Sequence, residues 1–192
     1  VSDYSGGIIP DWGTHLFDTA QWANNTELTG PIEIIGKGNF WKGGLYDTAK
    51  EYKIEYRYKN GVTMYCEHGG TGIRFEGSEG WIESPAWRRP LKASDDKILK
   101  SVIGDEETKL YTNPGGEHRD FLDCVKSRKD PYFPVDKGHR VSSLCHLANI
   151  AIELGRPLKW DPDAETFPDD KEARKKMSRE MRAPWKLPPA KA

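Results

Sequence analysis

The feature that most constrains the fold is an alternation of side chains between residues 52 and 59. Aromatic or aliphatic residues alternate there with charged ones, giving Tyr52, Ile54, Tyr56 and Tyr58 against Lys53, Glu55, Arg57 and Lys59. Because successive side chains of a strand point to opposite faces of the sheet, this pattern predicts one aromatic face and one charged face. The aromatic face must pack against another part of the protein.

Several neighbouring segments have the same strand composition, rich in β-branched and aromatic residues and separated by glycines. These segments cover residues 32–41, 52–58, 62–68, 73–75 and 81–83. The dipeptide Asn60-Gly61 between two of them is typical of a tight hairpin. We therefore expect a mostly antiparallel sheet in this part of the chain.

Before the strand-rich block, residues 11–24 have the periodicity of a helix. The residues at the spacing of one helix face are Leu16, Phe17, Ala20 and Ala23. We expect a helix of about three turns whose apolar face lies in the core. Asp11 stands at the start of this segment and is a candidate N-cap, since its carboxylate could accept a backbone N–H.

After the strand-rich block, three further segments have helical character. Residues 117–128 and 141–152 carry apolar stripes, and Gly155 would end the second helix. Residues 169–182 are mostly charged, with acids first and bases last, which predicts an exposed helix. Residues 85–115 are rich in Pro, Lys, Asp and Gly and predict a surface loop region.

Composition and charge exclude several classes of function. The 192 residues predict one domain, and 29 Lys and Arg against 30 Asp and Glu leave a net charge of −1, which attracts neither nucleic acid nor anionic lipid. The longest apolar stretch, 144–154, is interrupted and too short for a membrane span. The three cysteines lack a C-x-x-C pair and predict reduced, mostly buried thiols, not a disulfide framework or a zinc site. They are Cys66, Cys124 and Cys145.

Motifs for nucleotide binding and for common hydrolases are incomplete or absent. Gly36 and Gly38 could begin a dinucleotide-binding fingerprint, but Trp41 occupies the place of its third glycine. The sequence contains no complete P-loop, no H-E-x-x-H and no G-x-S-x-G. The chain therefore shows no motif for binding a dinucleotide, hydrolysing a nucleotide or holding a catalytic zinc ion.

The remaining chemical signal is the segment 10–15 and the residues that follow it on the same helix. If a helix begins near Asp11, then Asp11, His15, Asp18 and Trp22 share one stripe. Imidazole has an unperturbed pKa of about 6.5, so a histidine exchanges protons near neutral pH, and a nearby carboxylate orients it. This stripe carries the groups of a general acid/base. A structural hydrogen bond is the alternative role for His15.

At Asp11-Trp12-Gly13-Thr14-His15 the sequence resembles the glucose-fructose oxidoreductase and inositol dehydrogenase family (Gfo/Idh/MocA). The C-terminal domain of that family begins with a glycine-rich stretch and a D-x-G-x-H helix. The resemblance continues through residues 117–124, 138–151 and 154–161, where the chain is similar to the bacterial oxidoreductase branch. It covers most of the chain.

The resemblance implies an α/β (α+β) fold with an open, mainly antiparallel mixed sheet and helices packed on one face, like the C-terminal domain of dihydrodipicolinate reductase. It also implies that residues 1–192 form a substrate-binding and oligomerisation domain whose N-terminal Rossmann domain is absent from this chain. In the family the Rossmann domain holds NAD or NADP, so we expect no cofactor to be bound by this domain alone, and no turnover. The start at Val1, without an initiator Met, fits this expectation.

The resemblance further implies hydride transfer between a nicotinamide and a hydroxyl carbon of a sugar or polyol. By position, His15 would be the acid/base on the reacting hydroxyl, and Asp11 its partner or a substrate ligand. Trp12 and Asp18 are the candidate substrate-binding residues. The Glu-Lys-Pro lysine of the family belongs to the nucleotide domain, and no Lys-Pro occurs in this chain.

Two other functions remain open for the same residues. One is a non-catalytic sugar-binding or assembly module of the same fold, and the other is a redox-neutral lyase, hydrolase or isomerase that uses bound NAD. The expected partners are a sugar or polyol, the protein's own N-terminal Rossmann domain and a second copy of the chain. A homo-oligomer through the sheet face is expected because an open sheet with an aromatic face would otherwise expose a large apolar surface.

Overall fold

The computed structural model describes residues 1–107 and 115–186, which divide into two compact units. The first unit contains residues 1–7, 29–67 and 146–186. The second unit contains residues 8–28, 68–107 and 115–145. Each unit has its own antiparallel sheet.

Along the chain, helical segments precede and follow the strand-rich block, as the sequence pattern predicts. The helices are α1 (Ile8–Ala23), α2 (Asp96–Leu99), α3 (Gly116–Ser127), α4 (Val135–Leu154) and α5 (Lys171–Lys175). The strands are β1 (Glu33–Phe40), β2 (Ala49–Arg57), β3 (Thr63–Glu67), β4 (Ile73–Gly77), β5 (Gly80–Ser84), β6 (Lys92–Ala93) and β7 (Leu158–Lys159). Along the described residues, no helix has both the length and the apolar character needed to cross a membrane.

The sheet of the first unit has the strand order β3-β2-β1-β7, and every pair of neighbouring strands is antiparallel. Its strand β2 confirms the alternation in the sequence. Ile54 and Tyr56 are buried, and Tyr56 has 0% of its surface exposed. Lys53 and Arg57, at the alternate positions, are exposed. The aromatic face of this strand therefore belongs to the core of the first unit.

The turn between β2 and β3 is the tight hairpin that Asn60-Gly61 predicts. The backbone N–H of Tyr58 donates to the carbonyl oxygen of Val62 at 2.9 Å, and the N–H of Gly61 donates to the carbonyl of Tyr58 at 3.1 Å. Gly61 has a φ of +88°, a conformation that a side chain would strain. The glycine therefore allows the chain to reverse direction at this point.

Two glycines of β1 allow helix α4 to lie against the sheet within the first unit. A Cβ on Gly36 would lie 2.7 Å from the backbone nitrogen of Ile152, and a Cβ on Gly38 would lie 2.9 Å from Ile152 Cγ2. Ala148 and Ala151 are fully buried on the same helix. Gly36 and Gly38, which resemble the start of a dinucleotide fingerprint, thus serve close packing of helix and strand.

The outer face of this sheet is charged. The guanidinium of Arg57 donates to the carboxylates of Glu33 and Glu55, each at 2.6 Å, and Lys53 pairs with Glu67 at 3.1 Å. The aromatic residues of β2 are covered inside the first unit, whereas Tyr65 of β3, which pairs with Glu55, keeps 70% of its surface exposed on the outer face. The homo-oligomer through the sheet face stays a prediction.

The two helices predicted after the loop region are confirmed as α3 and α4. Gly155 ends α4 with a φ of +64°, and its N–H donates to the carbonyl of Ala151 at 2.9 Å. Helix α3 leaves its predicted apolar stripe exposed to solvent, with Phe121, Leu122 and Val125 all on the surface. This stripe is therefore a surface feature.

The long exposed helix predicted over residues 169–182 is wrong in extent, because helix α5 covers only Lys171–Lys175. A mostly charged segment buries too little to stabilise more turns, and only Ala173 of α5 is buried. The start of the helix is fixed by Asp170, whose carboxylate accepts the N–H of Ala173 at 3.0 Å. The same carboxylate binds the guanidinium of Arg156 through two hydrogen bonds of 2.6 and 3.0 Å.

The second unit contains a three-stranded antiparallel sheet in the order β4-β5-β6. The strand-rich block therefore forms two sheets, not the single sheet expected. The region 85–115, predicted as loop, contains the two-residue strand β6 and the four-residue helix α2, and its residues 108–114 lie outside the described part. Elements this short carry no periodicity that a sequence pattern can reveal.

Helix α1 begins at Ile8, three residues before the predicted start, and its buried face differs from the predicted one. The buried residues are Ile9, Gly13, Phe17 and Gln21. Of the predicted face only Phe17 is buried, and Ala23 is exposed. Gln21 is tolerated in the core because its amide donates to the carbonyl of Thr26 at 2.9 Å and its Oε1 accepts the Thr26 hydroxyl at 2.8 Å.

We expect Gly36→Ala to lower the free energy of unfolding by about 2 kcal/mol or more, because its new methyl group would collide with the backbone of α4. Gly69→Ala is the matched control, since no atom lies within 4 Å of its Cβ position. Urea denaturation of the two variants measures the difference. Equal midpoints for both variants would contradict the close packing at Gly36.

A second prediction concerns the pH dependence of stability at Asp170. The Arg156 guanidinium and the Ala173 N–H lower the pKa of the Asp170 carboxyl from 3.8 to about 2. A depressed pKa stabilises the folded state above the unfolded value of 3.8, and this stabilisation is lost as the pH falls towards 2. Asp170→Asn keeps an N-cap oxygen but removes the charge, so it should unfold at a lower temperature than the parent protein at pH 6.

The difference between Asp170→Asn and the parent protein should shrink steadily below pH 4 in thermal unfolding experiments. Asp169→Asn, at an exposed neighbouring position, is the control and should show no such trend. A difference for Asp170→Asn that stays constant between pH 6 and pH 2 would show that the ion pair with Arg156 does not contribute to stability.

Candidate active site

The first turns of α1 carry the predicted acid/base residues on the side away from the core. Asp11 and His15 are exposed, and Asp18 is half-buried. Trp12 keeps 37% of its surface exposed. The predicted stripe therefore lies on a surface of the second unit where a small molecule has access to it.

The His15 imidazole belongs to a cluster of three aromatic rings. Its ring centroid lies 5.8 Å from that of Trp12 and 5.5 Å from that of Trp87. The two indoles meet edge to face, with centroids 5.8 Å apart and planes at 76°. These distances and tilts are typical of attractive aromatic pairs. We call Trp12, His15 and Trp87 the aromatic cluster.

Trp87 enters the cluster from the loop after β5, and local hydrogen bonds hold this loop. The backbone N–H of Trp87 donates to the Thr71 hydroxyl at 3.0 Å, and the Ser84 hydroxyl donates to the carbonyl of Ala86 at 2.9 Å. Arg88 follows with a φ of +58°, which turns the chain directly after the indole. Sequence reasoning missed Trp87 because it lies in an aperiodic segment, far from His15 along the chain.

Asp18 of α1 has a carboxyl group whose pKa differs from its ordinary value. Burial raises the pKa of the Asp18 carboxyl, and the negative charge of Glu27 raises it further. Lys137 and a protonated His15 oppose this increase. Lys137 itself pairs with Glu27 at 2.9 Å. Asp18 and His15 are three residues apart on α1, so the helix places the two side chains on the same side.

Asp11 does not have the N-cap role considered in the sequence analysis, because α1 begins at Ile8 and Asp11 lies inside its first turn. Among residues 1–107 and 115–186, no hydrogen bond or ion pair joins its carboxylate to His15. The helix places Asp11 one turn before His15 on the same side. Both of its predicted roles, partner of His15 or substrate ligand, stay predictions.

Thr14 lies on the inward side of this part of α1, where its hydroxyl contacts two other groups. Its hydroxyl donates to the carbonyl of Pro10 at 2.6 Å and lies 3.7 Å from the Cys145 sulfur. Burial raises the pKa of the Cys145 thiol to about 11, so this cysteine is no nucleophile at neutral pH. All three cysteines are free thiols, as predicted, although Cys66 and Cys124 are only half-buried.

Neither a metal-binding cluster nor a phosphate-binding glycine loop is found among the described residues. No group of three or more His, Cys, Asp or Glu side chains within residues 1–107 and 115–186 is arranged to hold a metal. Gly36 and Gly38 face helix α4, and a Cβ on Gly72 would lie 2.7 Å from the carbonyl oxygen of Pro85. These glycines serve packing and do not form a phosphate-binding loop.

Solved structures share this fold. A NAD-binding protein from Listeria innocua has a TM-score of 0.60 at 18% identity, over 83% of this chain and 49% of its own. An aldose-aldose oxidoreductase from Caulobacter crescentus, crystallised with glycerol, has a TM-score of 0.56 at 16% identity. The match covers 77% of this chain and 45% of the oxidoreductase. The WlbA dehydrogenase from Bordetella pertussis, in complex with NADH and UDP-GlcNAcA, has a TM-score of 0.56 at 13% identity. The match covers 82% of this chain and 46% of the dehydrogenase.

At these identities the likeness shows the fold, and it confirms the expected α/β architecture with antiparallel sheets. The chain spans about half the length of the structures that it matches. No curated protein matches the sequence. The family model described as "Oxidoreductase family, C-terminal alpha/beta domain" matches residues 1–187. The chain therefore belongs to the Gfo/Idh/MocA oxidoreductase family, in which it corresponds to the C-terminal alpha/beta domain.

Proposed function

We propose that this chain is the substrate-binding and oligomerisation domain of an NAD(P)-dependent oxidoreductase that acts on a hydroxyl group of a sugar or polyol. The observation that carries the proposal is the exposed His15 imidazole, which lies against two indole rings on the side of α1 that also carries Asp11. A proton-exchanging side chain that is accessible to substrate and oriented by its neighbours can act as a general acid/base.

Oxidation of a hydroxyl carbon requires two transfers. The C–H bond breaks and its electron pair leaves as hydride, while the O–H proton passes to a base and the carbon becomes a carbonyl. In the full-length protein NAD or NADP would accept the hydride. His15 handles the proton, since a neutral imidazole accepts it when the hydroxyl is oxidised and an imidazolium returns it in the reverse reaction.

The residues around His15 support this role. As the imidazole accepts a proton it becomes positively charged, and Asp18, three residues later on the same side of α1, supplies a carboxyl group beside it. The exposed Asp11 carboxylate, one turn earlier, is a hydrogen-bond acceptor for a substrate hydroxyl. Trp12 adds an apolar ring face with a polar N–H edge, which suits a substrate that has both C–H and O–H groups.

The substrate class is supported by relatives of the same fold. The Caulobacter crescentus enzyme was crystallised with glycerol, and the Bordetella pertussis dehydrogenase was crystallised with NADH and UDP-GlcNAcA. Glycerol and the sugar of UDP-GlcNAcA both carry hydroxyl groups on saturated carbons. A sugar or polyol is therefore the substrate class that we assign to the His15 site. The contacts with an N-terminal Rossmann domain and with a second copy of the chain belong to the same proposal and rest on family membership.

A binding module is the second candidate function. Trp12 and Trp87 form an edge-to-face pair with 37% and 46% of their surfaces exposed, and such a pair can hold a sugar without any reaction at His15. A redox-neutral enzyme that oxidises and then reduces the same sugar with bound NAD would use His15 as the proposed oxidoreductase does. Turnover measurements on variants separate the binding module from both enzymes.

We expect His15→Gln to lower kcat of the full-length protein by about 10² to 10⁴, because the hydroxyl proton loses its acceptor. Initial rates are measured with NAD and NADP against a panel of sugars and polyols. His118→Gln, at an exposed histidine on α3, is the control and should keep the parent rate. Circular dichroism establishes that both variants are folded.

Retention of full turnover by His15→Gln would contradict the acid/base role. If the parent protein binds a sugar without turnover, and His15→Gln binds it equally well, the binding module is the correct function. Consumption of sugar without net formation of NADH or NADPH would instead identify the redox-neutral reaction.

A further inference from the structure

We propose that Trp87 is a positioning residue for His15, fixing the plane of the imidazole and stabilising the positive charge that develops on it during proton transfer. This inference rests on the proposed function, because it assumes that His15 is the acid/base. It adds a residue that lies outside the motif on α1 and that comes from a different part of the chain.

The three rings of the aromatic cluster constrain one another. Trp12 and His15 are three residues apart on α1, so the helix alone brings them together, with ring centroids 5.8 Å apart and planes at 59°. Trp87 contacts both, at 5.5 Å and 50° from His15 and at 5.8 Å and 76° from Trp12. A ring flanked by two others has less freedom to rotate than one that has a single neighbour.

The position of Trp87 is set by its own loop. Its backbone N–H donates at 3.0 Å to the hydroxyl of Thr71, two residues before the start of β4. The hydroxyl of Ser84, at the end of β5, donates to the carbonyl of Ala86 at 2.9 Å. Both hydrogen bonds tie the loop to the three-stranded sheet of the second unit. The indole is therefore held beside His15 by the fold of this unit.

The two indoles also act on the charge of the imidazole. An aromatic ring attracts a cation within about 6 Å of its centroid, and both indole centroids lie within that distance of the His15 ring. The carboxylates of Asp11 and Asp18 lie on the same side of α1, while Arg88 and Arg89 follow Trp87 in its loop. When His15 accepts the hydroxyl proton, the indoles stabilise the imidazolium that forms.

The test compares Trp87→Leu, which removes the aromatic ring but keeps apolar bulk, with Trp87→Phe, which keeps a ring. In the full-length protein we expect Trp87→Leu to lower kcat about tenfold with little change in KM, and Trp87→Phe to recover most of the loss. Trp185→Leu is the control, since Trp185 is 64% exposed and lies in the first unit. It should keep the parent values.

A second readout does not depend on activity. Protons of an imidazole beside an indole have NMR shifts that the aromatic ring current displaces. We expect the His15 ring signals to move in Trp87→Leu and to move less in Trp87→Phe. Thr71→Val removes the hydrogen bond that anchors Trp87, and it should produce a smaller change in the same direction. This variant tests the inference even if Trp87→Leu does not fold.

The two proposals fail in different ways. Unchanged kcat in Trp87→Leu would overturn the positioning role even if the His15 signals move, because loss of the ring current alone moves them. Equal losses of kcat in Trp87→Leu and Trp87→Phe would also overturn it, because a ring would then make no difference. If His15→Gln leaves turnover intact while Trp87→Leu moves the His15 signals, the ring contact is real but the acid/base role of His15 is wrong.

Discussion

The first unit depends on the close approach of helix α4 to strand β1. Gly36 and Gly38 leave no side chain between strand and helix, so the backbone around Ile152 comes within van der Waals contact of the sheet. The small buried residues Ala148 and Ala151 complete this contact on the helix. The tyrosines of β2 pack on the same side, and the opposite side carries ion pairs.

The second unit carries the candidate chemistry, and its central feature is the contact among three aromatic rings. Helix α1 supplies Trp12 and His15 one turn apart, and the loop after β5 supplies Trp87. Burial of Gly13 and Phe17 fixes which side of α1 faces inward, and Asp11 and His15 are left outside. The same helix therefore provides core packing on one side and exposes the proposed acid/base on the other.

Most of the strands and the main helices could be predicted because local patterns determine them. The alternation in β2 and the Asn60-Gly61 turn depend on neighbouring residues alone. The core face of α1 was predicted wrongly because burial of Gln21 depends on its hydrogen bonds to Thr26. Helix α5 was predicted too long because charge order favours a helix but does not supply buried surface.

The candidate site was only half predictable for the same reason. His15, Asp11, Trp12 and Asp18 form a short motif on one helix, so spacing alone groups them. The contact with Trp87 joins segments far apart in sequence, and nothing in the aperiodic loop around Trp87 points to it.

A crystal structure of the full-length protein with a nicotinamide cofactor and a bound polyol tests the central claim most directly. We predict a ring nitrogen of His15 within about 2.6 to 3.2 Å of the reacting hydroxyl oxygen. A polyol bound with its reacting hydroxyl out of reach of His15 would contradict it.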